Sequence, residues 1–200
     1  MRVLFLGLPD SPLLGFLEER EEFVEQTMEP LTLSFLDGKN FGFLVSYRYR
    51  HILKPEALNF FPDAAINLHP SLLPWNRGAD SNLWSFIDDT PKGVTIHHLD
   101  EGVDSGDIIV QKEVDLDEDG TLASSYEKLQ KEIQSLFMQN WEKMRRGNCD
   151  RRMQPSGGSC HRLKDREKVS HLLTEGWNTS LRALVHGLRE AGLEPPAEAP

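Results

Sequence analysis

The sequence predicts an α/β fold built on a mostly parallel sheet with flanking helices, and three observations predict it. Short apolar runs of strand length recur early in the chain, over residues 1–7, 41–47 and 64–68. The stretches between them carry helix signals, so the chain must cross over to pair those strands, and crossover pairing is parallel. Two later alternating runs, 93–99 and 108–114, flank a tight loop with two glycines and read as an antiparallel edge hairpin.

Each element has its own signal. Residues 1–7 form a buried first strand, and the turn holding Pro9 and Pro12 starts a helix over 13–22. This opening looks like a nucleotide-binding βα unit, but no Gly-x-Gly-x-x-Gly is present, so no phosphate-cradling loop is supported. Residues 23–27 read as a second strand, and 31–36 as a weaker apolar patch. A short helix over 55–59 opens on Pro55, which suits a first turn. Leu83, Phe86 and Ile87 face inward from a helix over 81–88, and Thr121 caps a long helix over 122–146 whose apolar positions include Leu129, Ile133, Leu136, Phe137 and Trp141. Beyond the turn-rich connector 154–159, helices are expected over 167–173 and 180–191, with a frayed end over 192–200. The expected division is a catalytic domain over 1–147 and a C-terminal extension of connector plus helices over 148–200.

Composition narrows the function classes. Of 200 residues, 38% are hydrophobic and 27% charged, as in a soluble globular chain able to bury a core without staples. With 22 basic residues against 32 acidic ones, the net charge of −10 argues against a nucleic-acid partner. Cys149 and Cys160 lack metal-ligand spacing, no signal peptide precedes them, and no apolar run approaches membrane length. The expectation is a cytoplasmic protein with no membrane partner.

The informative stretch is Asn67-Leu68-His69-Pro70. Two residues apart on a strand, Asn67 and His69 point to the same face, about 7 Å apart, and Pro70 ends the strand's hydrogen-bonding edge. Taken alone, Asn-x-His-Pro more often turns a chain than catalyses. The acidic loop 100–107 supplies Asp104 at the mouth of another strand, where it can meet His69 on one rim of the sheet. A carboxylate beside an imidazole favours its protonated form, and an Asn amide adds a second donor, so the trio could stabilise an oxyanion. No serine or cysteine nucleophile stands nearby, which fits acyl transfer between two bound molecules. His97 and His98 with Asp100 and Asp104 offer metal-ligating side chains, but neighbours on a strand face opposite ways and at most one of the two histidines joins a site; no metal is expected. Trp84 and Trp141 sit in helical patterns as core residues, whereas Trp75 lies in the loop after His69.

Asn67-Leu68-His69-Pro70-Ser71-Leu72-Leu73-Pro74 with Arg77-Gly78, followed by Gly93-Val94-Thr95-Ile96-His97 and residues 100–107, resembles the formyltransferases that use N10-formyltetrahydrofolate. That family includes glycinamide ribonucleotide, methionyl-tRNA and sugar N-formyltransferases. The likeness covers residues 41–140 and implies a Rossmann-like sheet, here shortened at the N-terminus because Asn67 comes early. It also implies that Asn67, His69 and Asp104 are the catalytic residues. The folate would be lined by Tyr47, Arg48, His51, Ile52 and Leu53, and by Leu99, Asp100, Gly102 and Val103, largely through backbone contacts. The stretches 46–53, 74–78 and 89–94 are most similar to sugar N-formyltransferases, implying a nucleotide-linked amino sugar as acceptor, bordered by Trp75, Asn76, Arg77 and Gly78. Set beside a methionyl-tRNA formyltransferase, the sequence ends before the tRNA-binding domain, so the resemblance implies no tRNA acceptor as an expectation. The basic tail around His161, Arg162 and Lys164 has three roles open to it: binding an anionic acceptor, covering the core, or forming a homodimer. Two other activities compete with transfer, a formyl-folate hydrolase and a non-catalytic folate-binding module.

Overall fold

The structure, a computed structural model, describes residues 1–193; most of the end expected to fray, residues 194–200, lies outside the described residues. The first strand β1 (Arg2–Gly7) leads to helix α1 (Pro12–Glu18), β2 (Phe23–Thr27) and a one-turn helix α2 (Leu33–Leu36). Strand β3 (Phe43–Tyr47), helix α3 (Pro55–Leu58) and β4 (Ala65–His69) follow. A two-residue strand β5 (Arg77–Gly78) precedes α4 (Ser81–Ile87), β6 (Gly93–His98), β7 (Ile108–Glu113) and the long α5 (Leu122–Met144). A second two-residue strand β8 (Cys160–His161), two 3-10 segments (Leu163–Leu172 and Gly176–Asn178) and α6 (Leu181–Glu190) are the last elements among the described residues.

Six strands form one sheet in the order β2-β1-β3-β4-β6-β7. β1 runs parallel to β2 and β3, and β3 parallel to β4. β6 runs antiparallel to β4. Backbone bonds from His98 N–H to the Asp107 carbonyl, and from Val114 N–H to the Lys92 carbonyl, close β6 and β7 as the expected edge hairpin. The α/β class and its antiparallel edge are therefore as the apolar runs foretold.

Contacts divide the chain into two compact units. The first holds Met1–His69, Thr95–Val110 and Ile133–Gln154. In it Leu4, Leu6 and Leu44 pack with Leu36, Ala57 and Phe61 on one face of the strands. On the alternate face Phe43 meets Trp141 edge-on at 5.1 Å, and Phe16 meets Phe137 at 6.0 Å. Period-two strands buried on both faces explain why these runs are continuously apolar. The second unit holds Pro70–Val94, Gln111–Glu132 and the residues from Pro155. Its core joins Leu83, Trp84 and Ile87 of α4 to Leu122, to Val169 and Leu172, and to Leu181, Leu184 and Leu188 of α6. No helix among the described residues is long and apolar enough to cross a membrane.

Three local expectations shift. The first helix stops at Glu18 rather than reaching 22, because Glu22 turns inward: its buried carboxylate meets the Met1 ammonium and, at 3.0 Å, the Arg145 guanidinium. The helix expected over 167–173 is a 3-10 segment starting earlier, at Leu163. Its two buried residues, Val169 and Leu172, are three apart, the spacing that a three-residue turn stacks on one side. The apolar patch 31–36 is the one-turn α2, capped by the Thr32 hydroxyl on Phe35 N–H.

Candidate active site

β4 ends at His69, where Pro70 leaves no N–H to continue the ladder. In the antiparallel register Asn67 lies opposite His97 and His69 opposite Thr95, so these four side chains share one face of the sheet. His98 takes the other face.

The loop after β6 brings Asp104 back over that face. Its shape comes from its own side chains. The Asp100 carboxylate accepts from Gly102 N–H at 3.1 Å and from the Ser105 hydroxyl at 2.8 Å. Asp104 itself adopts φ +50°, and Gly106 lies so close to the His98 carbonyl that a Cβ would sit 1.9 Å from the oxygen. Gln154 Nε2 then donates to the carbonyls of both Asp104 and Gly106, each at 2.8 Å.

The Asp104 carboxylate is the hub. Oδ2 lies 3.5 Å from His69 Nδ1, while Oδ1 lies 3.0 Å from Asn67 Nδ2 and 3.4 Å from His97 Nε2. A carboxylate only accepts, so the Asn67 amide must turn an N–H toward it. His97 Nδ1 donates to the His98 carbonyl at 2.7 Å, which in the neutral ring leaves Nε2 as an acceptor, 3.3 Å from Asn67 Nδ2. The His69 and His97 side chains are 6% and 1% exposed, and that of Asp104 14%, so these polar groups face one another largely out of water. With Nδ1 toward Asp104, His69 directs Nε2 away from the carboxylate, where it can meet a third group.

The structure thus brings Asn67, His69 and Asp104 together, and adds two residues that sequence reading missed. Sequence offers His97 only as a metal ligand; its face is legible from strand alternation, but its neighbour is not, because that depends on strand pairing. Gln154 sits in a connector with no signal of its own.

The residues assigned to folate by resemblance lie in the same unit. Tyr47 is buried at the end of β3, where its hydroxyl accepts from Gln134 Nε2 at 2.9 Å, and Arg48 takes φ +59°. Tyr49, through its hydroxyl, donates to the Glu29 carbonyl and accepts from Leu31 N–H, and its ring meets that of His51 at 5.2 Å. Ile52 is 80% exposed, whereas Leu53 is buried in the core cluster that Leu99 flanks. Gly102 and Val103 are exposed on the loop of Asp104. Leu99 and Asp100 line a cleft of about 320 Å³ together with Leu58, Ala65, His98 and Arg151. Burial, aided by the charge of Arg151, pushes the His98 imidazole below the ordinary histidine range, which favours its neutral form.

The residues assigned to the acceptor lie in the second unit. Trp75 is partly exposed, but Asn76 is fully buried, and its amide donates to the Thr90 hydroxyl at 2.6 Å while its Oδ1 accepts from the Ser159 hydroxyl at 3.1 Å. Arg77 and Gly78 form β5, paired with Cys160 and His161 of β8.

Residues 19–140, which span Asn67, His69 and Asp104, match the family described as formyl transferase. The chain belongs to the formyl transferase family. Among solved relatives, the formyltransferase PseJ from Anoxybacillus kamchatkensis is 47% identical, with a TM-score of 0.88 over 92% of this chain and 97% of that one. PseJ was solved in complex with UDP-4,6-dideoxy-4-formamido-L-AltNAc and tetrahydrofolate. The dTDP-4-amino-4,6-dideoxyglucose formyltransferase of Mycobacterium tuberculosis (strain H37Rv) is 30% identical over 151 residues, 70% of this chain and 64% of that protein. The methionyl-tRNA formyltransferase of Thermodesulfovibrio yellowstonii is 36% identical over 113 residues, 56% of this chain and 37% of that protein. This formyl transferase chain thus spans less than two thirds of either curated relative.

Proposed function

We propose that this chain transfers the formyl group of N10-formyltetrahydrofolate to the primary amine of a nucleotide-linked amino sugar, a UDP-linked 4-amino-4,6-dideoxy sugar. The observation that carries this reading is the near full-length likeness to PseJ, bound to a UDP-linked formamido sugar and tetrahydrofolate, in a chain whose Asn, His and Asp side chains converge. In this reading the catalytic domain is 1–147; of the extension 148–200, Gln154 braces the loop of Asp104 and the part from Ser159 to His161 shapes the acceptor loop. The pterin lies against Tyr47–Leu53 and the loop of Leu99, Asp100, Gly102 and Val103; of these, Leu99 and Asp100 line the cleft described above.

The amine lone pair attacks the formyl carbon, and the carbonyl electrons move onto oxygen. His69, protonated at both ring nitrogens, donates from Nε2 to that oxyanion while Nδ1–H faces the Asp104 carboxylate. Asn67 adds a donor by exchanging its bond to Asp104 or His97 for one to the oxyanion. Asp104 accepts the proton released by the attacking amine, directly or through water. Collapse re-forms the carbonyl and breaks the bond to N10, which leaves with the bond's electron pair and receives the proton. His97, bonded through Nδ1 to the His98 carbonyl, accepts from the Asn67 amide and so orients the amide that in turn bonds Asp104.

The test is turnover with defined partners. With N10-formyltetrahydrofolate and the UDP-linked amine, tetrahydrofolate should appear together with a formylated sugar detected by mass spectrometry. Release of tetrahydrofolate from the cofactor alone would mark a hydrolase, and none with any amine would mark a non-catalytic module.

Gln154 gives a second check. Its two donor bonds hold the loop that carries Asp104, and removing both should cost about 1–3 kcal/mol of local stability. Gln154→Ala is expected to lower kcat about tenfold while the KM values stay close to wild type, because small misplacements of a catalytic group are costly. Wild-type kcat in that variant would remove Gln154 from the mechanism.

A further inference from the structure

The loop assigned to the acceptor has little of its own to hold it. Asn76 and Gly78 both take positive φ, +57° and +86°, and the only regular structure there is the two-residue β5. Gly158 and Ser159 at the end of the turn-rich connector, together with His161 of the basic tail, hold it instead. Gly158, at φ +83°, presses against Pro74 so closely that a Cβ would lie 2.1 Å from the Pro74 carbonyl oxygen. The Ser159 hydroxyl accepts from Asn76 N–H at 2.9 Å and donates to Asn76 Oδ1 at 3.1 Å, and its carbonyl accepts from Arg77 N–H at 2.9 Å. The His161 carbonyl accepts from Ala79 N–H at 2.9 Å and fills the space that any side chain at Gly78 would need.

The strap is itself anchored. The His161 ring lies flat on Trp84, with centroids 3.9 Å apart and planes 3° apart, and its Nε2 lies 2.7 Å from Asp88 Oδ2. Trp84 belongs to the core of this unit, so His161 ties the strap to a rigid helix, and Ser159 ties the loop to the strap. A non-glycine residue held at positive φ persists only where its surroundings over-determine it, and here the surroundings of Asn76 are Thr90 and Ser159.

We propose that Ser159 and His161 are positioning residues for the sugar acceptor, setting the shape in which Trp75–Gly78 meets it. This rests on the transfer reading above, in which that loop borders the amine. Neither residue is assigned to the chemistry; each acts through the loop. Their removal should therefore weaken recognition of the acceptor and leave the handling of the formyl donor alone.

The experiment is steady-state kinetics on the full chain with N10-formyltetrahydrofolate and the UDP-linked 4-amino-4,6-dideoxy sugar, alongside thermal unfolding. Ser159→Ala and His161→Ala are each expected to raise the acceptor KM about tenfold, with kcat and the donor KM within about twofold. Ser159→Thr, which keeps the hydroxyl, and His161→Phe, which keeps the ring on Trp84, should recover most of the loss. Two results would overturn the proposal: an unchanged acceptor KM in both alanine variants, even with lowered melting temperatures, or donor and acceptor KM rising together. A wild-type chain that fails to formylate this amine overturns the transfer reading, and this inference with it. A wild type that does so beside kinetically silent variants overturns the inference alone.

Discussion

Asp104→Asn is expected to lower kcat by ~10²–10⁴-fold with little change in donor binding, the loss typical of a missing general base. The substitution keeps size and shape, so the loop braced by Gln154 and by the Asp100 turn should stay where it is. What disappears is the charge that faces His69 Nδ1 and Asn67 Nδ2, together with the capacity to take the amine's proton. An amide there can present an oxygen to only one of these donors and turns its own N–H groups toward the rest of the cluster. His69→Ala should follow the same pattern, with a loss of ~10²–10³-fold for one missing oxyanion donor. Binding of tetrahydrofolate, followed by calorimetry, should survive in both variants. A rate near wild type in either would sink the transfer mechanism proposed for this site.

Trp141→Ala should be the most destabilising single change, costing ~3–5 kcal/mol. The side chain is fully buried, meeting Phe43 edge-on at 5.1 Å and Phe137 at 5.4 Å, so truncation leaves a cavity where α5 covers β3. Its indole N–H is buried without an acceptor among the described residues, which makes the conservative variant informative. Trp141→Phe loses some area but also removes that unpaired donor, whose burial costs about 1–3 kcal/mol. The expected order in denaturant midpoint is therefore wild type close to Trp141→Phe, with Trp141→Ala far below. A Trp141→Phe variant well below wild type, with losses in the two variants graded by the volume removed, would mean that packing volume alone decides and the indole N–H is of no consequence.

These two predictions draw on different depths of sequence information. Trp141 was readable because helix periodicity is local: Leu129, Ile133, Leu136, Phe137 and Trp141 recur at three and four, and all are buried. The pairing of Asn67 with His69 was readable for the same reason, since strand alternation fixes their common face. Asp104 stood out only as a carboxylate in a short glycine-containing loop. Its convergence with the other two depends on β6 lying antiparallel beside β4, a register that no single segment encodes.

What the chain encodes locally is thus the α/β alternation, the edge hairpin, the long helix and the same-face pair Asn67 and His69. Tertiary structure alone decided the rest. His97 joins the cluster because it falls opposite Asn67; one residue of register slip would have turned it to the other face. Gln154 and Ser159 matter through hydrogen bonds spanning 50 and 83 residues of sequence, and such partners leave no periodic trace. Asn76, which resemblance assigned to the acceptor, has its side chain sealed against Thr90 and Ser159, so its contribution in this structure is to the loop's shape. The physical reason is common to all of these. Local patterns report which way a side chain faces, whereas a site is made where faces from distant segments meet, and that meeting is set by the packing of the whole.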